Sequence, residues 1–137
     1  MKSRMIEQFM EMVRIDSESG NEQHMIRYLK EEFDALGGNT HIDAYGNLLA
    51  RFHAMDSSKN EPILFSCHAD TVKPGIGIRP YISDGIIRSR GNTILGADDK
   101  AGIAELLEAL RTSSCRPPVE VAITREEEVG LLGVKNL

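Results

Sequence analysis

Residues 61–72 read EPILFSCHADTV, a run of strand-forming side chains closed by a histidine and an aspartate two positions apart. The apolar stretch 63–67 shows no in-and-out alternation, which is the pattern of a strand covered on both faces in a layered α/β domain. His68 and Asp70 stand where that strand comes out into a turn. Buried histidine and aspartate cost free energy unless something pairs with them, and a metal ion is one such partner.

Upstream of this strand, THIDAYGNLLARFHA (40–54) reads as two extended segments around a turn at Tyr45, Gly46 and Asn47, a hairpin signal. Before it, Ile6, Phe9, Met10 and Val13 recur at helical spacing and predict an amphipathic helix ending near Ile15, broken by Asp16, Ser17, Ser19 and Gly20. Met25, Leu29, Phe33 and Leu36 form the stripe of a second helix, with Asn21 placed to cap its start and Gly37 and Gly38 to stop it. Downstream, GIGIRPYISDGIIRSRGNTIL (75–95) is punctuated by glycine and proline, with short strands expected near Ile86. A third helix is predicted from Asp98, burying Ile103, Leu106, Leu107 and Leu110, and the run VEVAIT (119–124) reads as a second buried strand. The closing GLLGVKNL (130–137) reads as the first turns of a fourth helix. This alternation argues an α/β layered fold with a mixed, mostly parallel sheet and helices on its faces.

At 137 residues with 41% hydrophobic side chains, the chain can build the core of one domain. Sixteen basic against twenty-one acidic residues give a formal charge of -5, with no basic run, which excludes nucleic acid as a partner. Glu7 and Glu11 interrupt the N-terminal apolar pattern, so it is not the core of a signal peptide, and a cytoplasmic location is expected. No apolar stretch reaches the roughly 20 residues of a membrane span. Cys67 and Cys115 form no CxxC pair, and Cys67 reads as core packing. His24 and His41 lack acidic neighbours at ligand spacing, and the acidic run 126–128 alone is the pattern of a solvated surface.

In open α/β sheets, sites gather at the carboxyl ends of strands. His68 and Asp70 follow one predicted strand, Asp98 opens a helix after a glycine-rich turn, and Glu127 and Glu128 follow another strand, so all five can converge on one edge. Imidazole and carboxylate both suit a divalent metal. The stretches HADTV (68–72), LGADDKAGIAELLEAL (95–110) and TREEEVGLLG (124–133) carry a resemblance. In order and spacing they resemble the signature motifs of the dinuclear zinc peptidases and deacylases that include peptidase T, carboxypeptidase G, aminoacylase and succinyl-diaminopimelate desuccinylase. Peptidase T-like members fit best, on GNTILGADDKAGIAE (91–105) and EEVG (127–130), supported upstream by IDSESGNEQ (15–23) and DAYGNLLA (43–50).

The resemblance implies a three-layer catalytic domain of which residues 1–137 are the N-terminal part, with the lid or dimerisation domain and the C-terminal part absent. It makes His68 a ligand of one metal, with Asp70 holding the imidazole through its other ring nitrogen. Asp98 becomes a carboxylate bridging two zinc ions, preceding a cis peptide bond to Asp99. Strand alternation would put Glu126 and Glu128 on one face, but the family spacing to Val129 and Gly130 makes Glu127 the general base and Glu128 a ligand of the second metal. Two zinc ions, or cobalt or manganese in their place, would then activate a water whose proton Glu127 takes, for hydrolysis of a small peptide. The family's further acidic ligand and C-terminal histidine have no counterpart among His24, His41, His53 and His68. The chain alone is therefore expected to be inactive, and an unpaired sheet edge is expected to make it a homo-oligomer. Two alternatives stay open: a deacylase of N-acylated amino acids, and a non-catalytic binding or assembly module that keeps the front half of the fold.

Overall fold

Two strands flanking the turn at Tyr45 form the predicted hairpin, β1 (Asn39–Ile42) and β2 (Leu48–Phe52), paired antiparallel with Ile42 opposite Leu48. The Asp43 carboxylate closes that turn by accepting the main-chain N–H groups of Tyr45, Gly46 and Asn47 at 2.8–2.9 Å. The computed structural model describes residues 3–56 and 58–137; Met1, Lys2 and Ser57, inside the span expected to form one domain, lie outside the described residues.

The decisive stretch forms β3 (Ile63–His68), and 80–89 forms a separate hairpin of β4 (Pro80–Ser83) and β5 (Ile86–Ser89) around Asp84 and Gly85, both at positive φ. The buried run 119–124 is β6 (Val119–Thr124). The main sheet has the order β1-β2-β6-β3. It is mixed, as expected, but only the β3–β6 pair is parallel, because the hairpin enters the sheet antiparallel to β6. β3 also departs from its predicted burial. Ile63, Leu64 and Phe65 are 46%, 63% and 41% exposed. β3 is the edge strand of the described sheet, so the continuous apolar run of a covered strand has no cover on it here.

Three helices bury the stripes read from the sequence. α1 (Arg4–Arg14) packs on α3 (Ala97–Thr112), α3 on β3, and α2 (Gln23–Ala35) on β1 and β2. Met12, Val13, Met25, Leu29, Phe33, Ile103 and Leu107 are fully buried in a single core cluster. Two helix ends differ from expectation. Residue Glu22, not Asn21, occupies the N-cap of α2, and its side chain turns away to other partners instead of capping. The closing segment makes only a 3-10 turn at Val134–Asn136, because Gly130 and Leu131 hold positive φ, outside helical backbone.

Candidate active site

Parallel pairing of β3 with β6 sets His68 opposite Thr124, so the two strands end side by side. The segments leaving the two strands therefore meet at one edge. Asp98 reaches the same place from α3, whose entry is built by Gly96 at φ 76 followed by non-helical backbone at Asp98 and Asp99; their peptide bond is cis. A side chain at position 96 would be strained by the left-handed backbone, although Ile78 and Thr71 would lie only in ordinary contact with it. The regular helix then runs from Lys100, which is buried and donates from Nζ to the Ile15 carbonyl at 2.7 Å. Burial pulls that lysine down to about 8.

The His68 ring lies between two carboxylates. Its Nδ1 is 2.9 Å from the Asp70 main-chain carbonyl and 3.4 Å from Asp70 Oδ1, while Nε2 is 3.0 Å from Asp98 Oδ1 and 3.9 Å from Glu127 Oε2. Asp70 thus holds the imidazole first through its backbone and only second through its carboxylate. That carboxylate, fully buried, instead accepts Ser19 Oγ at 2.6 Å and the main-chain N–H groups of Glu127 and Glu128 at 2.9 and 3.1 Å. Burial alone would raise the Asp70 pKa, but the bonds from His68, Ser19 and these two amides outweigh it and hold it at about 2. Burial likewise disfavours imidazolium, yet the carboxylates of Asp70 and Asp98 outweigh it and raise His68 to about 9.

The three glutamates do not continue a strand. β6 ends at Thr124, and Glu126 takes a left-handed φ of 53, which turns the chain and frees the following two residues from strand alternation. Glu126 points away, to the Tyr45 hydroxyl, which donates to it. Glu127 comes near the imidazole, and Glu128 joins His68 and Asp98 in a group whose ligand atoms all lie within 4.8 Å of one another.

This donor set fits a divalent cation. In the metal-free chain the Nε2 proton joins His68 to Asp98 Oδ1 at 3.0 Å, and in the imidazole form with its proton on Nδ1 facing the Asp70 carbonyl a cation would take the place of that proton between the two donors. The Glu128 carboxyl is pushed up, first by burial and then by Asp98, the neighbouring negative charge. One imidazole and two carboxylates are the nitrogen and oxygen donors that zinc takes. Cys67, by contrast, is half-buried against the core, and burial followed by the charge of Asp99 pushes its thiol up to about 12. His24 and His41 are exposed, away from this group.

Several supporting residues had no signal in the sequence. Ser19, Glu22, Asn47 and Arg125 all bond to the elements that carry the site, yet they lie between 51 and 104 positions from the partners they meet. Their membership of IDSESGNEQ, DAYGNLLA and TREEEVGLLG was visible, but not their contacts.

The profile of peptidase family M28 matches residues 47–137. Across 148 residues the chain is 36% identical to the uncharacterised protein YqjE of Bacillus subtilis, covering 99% of this chain and 39% of that protein. Among solved structures it superposes on the aminopeptidase PepT of Bacillus cereus with a TM-score of 0.93 and 40% identity, and on a tripeptidase of Staphylococcus aureus with a TM-score of 0.91 and 39% identity. Each comparison covers 98% of this chain and 39% of the other. The chain therefore spans about two fifths of the length of these relatives.

Proposed function

The chain belongs to peptidase family M28, and we propose that it forms the front part of the catalytic domain of a metal-dependent peptidase acting on small peptides, tripeptides among them. The observation that carries this reading is the convergence of His68, Asp98 and Glu128 within 4.8 Å beside Glu127. The substrate class is supported by the solved relatives, one described as an aminopeptidase and one as a tripeptidase. A cytoplasmic, self-associating protein accords with the absence of a membrane-spanning helix among the described residues and with the open edge of β3.

In this reading His68 and Asp98 would hold one zinc ion and Asp98 and Glu128 would hold a second, with cobalt or manganese able to take their place. When bound, the metal supplies Lewis-acid polarisation of a carbonyl and lowers the pKa of water. The chain's own residues do the rest. Asp70 fixes the imidazole so that Nε2 faces the ligand group, and Ser19 fixes Asp70. Glu127 is the proton carrier: Oε2 takes a proton from the attacking water and delivers it to the amine nitrogen as the C–N bond breaks.

Two protein ligands per ion fall short of the three that a zinc site normally has. The isolated 137-residue chain should therefore hold metal weakly and show no turnover. Metal analysis of the purified chain, with tripeptide hydrolysis in added zinc, cobalt or manganese, tests this. Tight loading of two ions with robust turnover would overturn the reading of the chain as part of a site; absence of any metal binding at millimolar zinc would overturn the site itself.

A further inference from the structure

Four consecutive main-chain amides carry the chain from β6 into the site, and each is received by a buried side chain. Arg125 N–H donates to Asn47 Oδ1 at 3.0 Å, Glu126 N–H to Glu22 Oε1 at 3.1 Å, and Glu127 and Glu128 N–H to the two oxygens of Asp70. Asn47, Glu22 and Asp70 are all fully buried. They arrive from three separate places: the β1–β2 turn, the start of α2 and the turn after β3. Among the described residues no strand or helix pairs with these four amides; the carbonyls of Arg125, Glu126 and Glu127 accept main-chain N–H groups from the turn at 130–133, while the amide side of the segment is held by the three side chains.

Of the three, Glu22 has no role in the proposed chemistry, yet it makes as many side-chain contacts as Asp70. Its Oε1 also accepts Gly20 N–H at 2.9 Å, and its Oε2 takes Arg125 Nε at 2.9 Å and Nη2 at 2.8 Å. Arg125 spends its remaining donors on the carbonyls of Tyr45 at 3.1 Å and Gly20 at 3.4 Å. A buried carboxylate is expensive unless it is fully bonded, and this one joins the Gly20 turn to Arg125 and Glu126 at the start of the turn after β6. The turn it grips contains Glu126 in left-handed backbone, a conformation that a non-glycine residue keeps only where its surroundings impose it.

We propose that Glu22, through its ion pair with Arg125 and its bond to the Glu126 amide, is a positioning residue that aims Glu127 and Glu128 at the His68–Asp98 group. The assignment deepens the metallopeptidase reading and rests on it for the meaning of Glu128 as a ligand. Without Glu22 the Glu126 amide loses its acceptor, the left-handed turn relaxes, and the two carboxylates lose their common direction.

The test uses the 137-residue chain and the double variant Glu22→Leu/Arg125→Leu, which removes both charges together and so leaves no buried ion unpaired. Amide hydrogen exchange at Glu126, Glu127 and Glu128 should speed up about tenfold or more, the scale of one lost hydrogen bond, while Val121 and Ile123 in β6 exchange as before. Zinc affinity should fall about 10- to 100-fold, as for other groups that orient metal ligands. Turn amides that stay in step with the β6 amides would overturn the proposal, because a general loss of stability moves both together. If the double variant does not fold, the same comparison in Glu22→Gln decides: selective exchange at 126–128 supports the role and uniform exchange overturns it. Absence of zinc binding by the wild-type chain would count against the metal site, while the exchange pattern would still decide the role of Glu22.

Discussion

The two ends of β3 invert the usual order of a folded chain. At its start Ile63, Leu64 and Phe65 are apolar and open to solvent, whereas at its close His68 and, just beyond, Asp70 are polar and buried. The polar end is buried because its groups satisfy one another: Asp70 alone gathers His68, Ser19 and two main-chain amides. The apolar end is exposed because it borders the sheet with an unpaired edge, and nothing else among the described residues covers it. Buried polar bonding is therefore concentrated at the end that carries the proposed site, and the apolar end keeps an open strand edge among the described residues.

The largest effect is expected at the polar end. Asp70→Ala should destabilise the chain by about 3–5 kcal/mol, the cost of breaking a buried charged pair and stranding its donors, read as a lowered urea midpoint. The matching change at the apolar end, Leu64→Lys, should shift stability by no more than about 0.5 kcal/mol and reduce self-association seen by light scattering. Equal effects of the two substitutions would dissolve the contrast.

A middle-sized effect concerns pH. Asp70 is depressed from an ordinary 3.8 to about 2, so its contribution to stability is complete above 3.8 and is lost as the pH falls through about 2. His68 is raised from 6.5 to about 9, so its contribution is complete below 6.5 and is lost as the pH rises through about 9. In the metal-free chain, stability measured against pH should fall on both sides of that window, and Asp70→Asn should flatten the acid limb in particular. An unchanged acid limb would mean that Asp70 is not the group responsible.

The smallest effect sharpens the boundary between the two ends. Cys67 sits one residue before His68, half-buried with its thiol pushed up to about 12, while Cys115 is exposed. A maleimide reagent at neutral pH should label Cys115 well before Cys67. Equal labelling rates would show the end of β3 to be open.

Much of this contrast was legible in the residues. Helical and strand periods placed α1, α2, β2, β3 and β6, because each of the helical stripes and the runs of β2 and β6 is buried as its spacing demands. That His68, Asp70, Asp98, Glu127 and Glu128 could converge was legible because they follow strands or open a helix at one sheet edge, whereas singling out Glu128 beside His68 and Asp98 rested on the resemblance. Burial of β3 was misread since an apolar run does not tell a strand inside a sheet from one at its edge, and among the described residues β3 is the edge. Asn21 was misread as a cap since Glu22 takes the N-cap position while its side chain is claimed by Arg125, 103 positions away. Such contacts have no local period, so the group around Glu22, Asn47 and Arg125 emerged only with the fold.

The proposed division of labour between two adjacent glutamates, Glu127 as base and Glu128 as ligand, is open to the most direct test. Zinc titration of the wild-type chain beside Glu127→Gln and Glu128→Gln, followed by calorimetry, separates a ligand from a base. Glu128→Gln should weaken zinc binding by about tenfold or more, as loss of a ligand requires, and Glu127→Gln should leave it within about twofold. The opposite pattern, with Glu127→Gln abolishing binding and Glu128→Gln sparing it, would contradict the account by shifting the register of the turn by one residue.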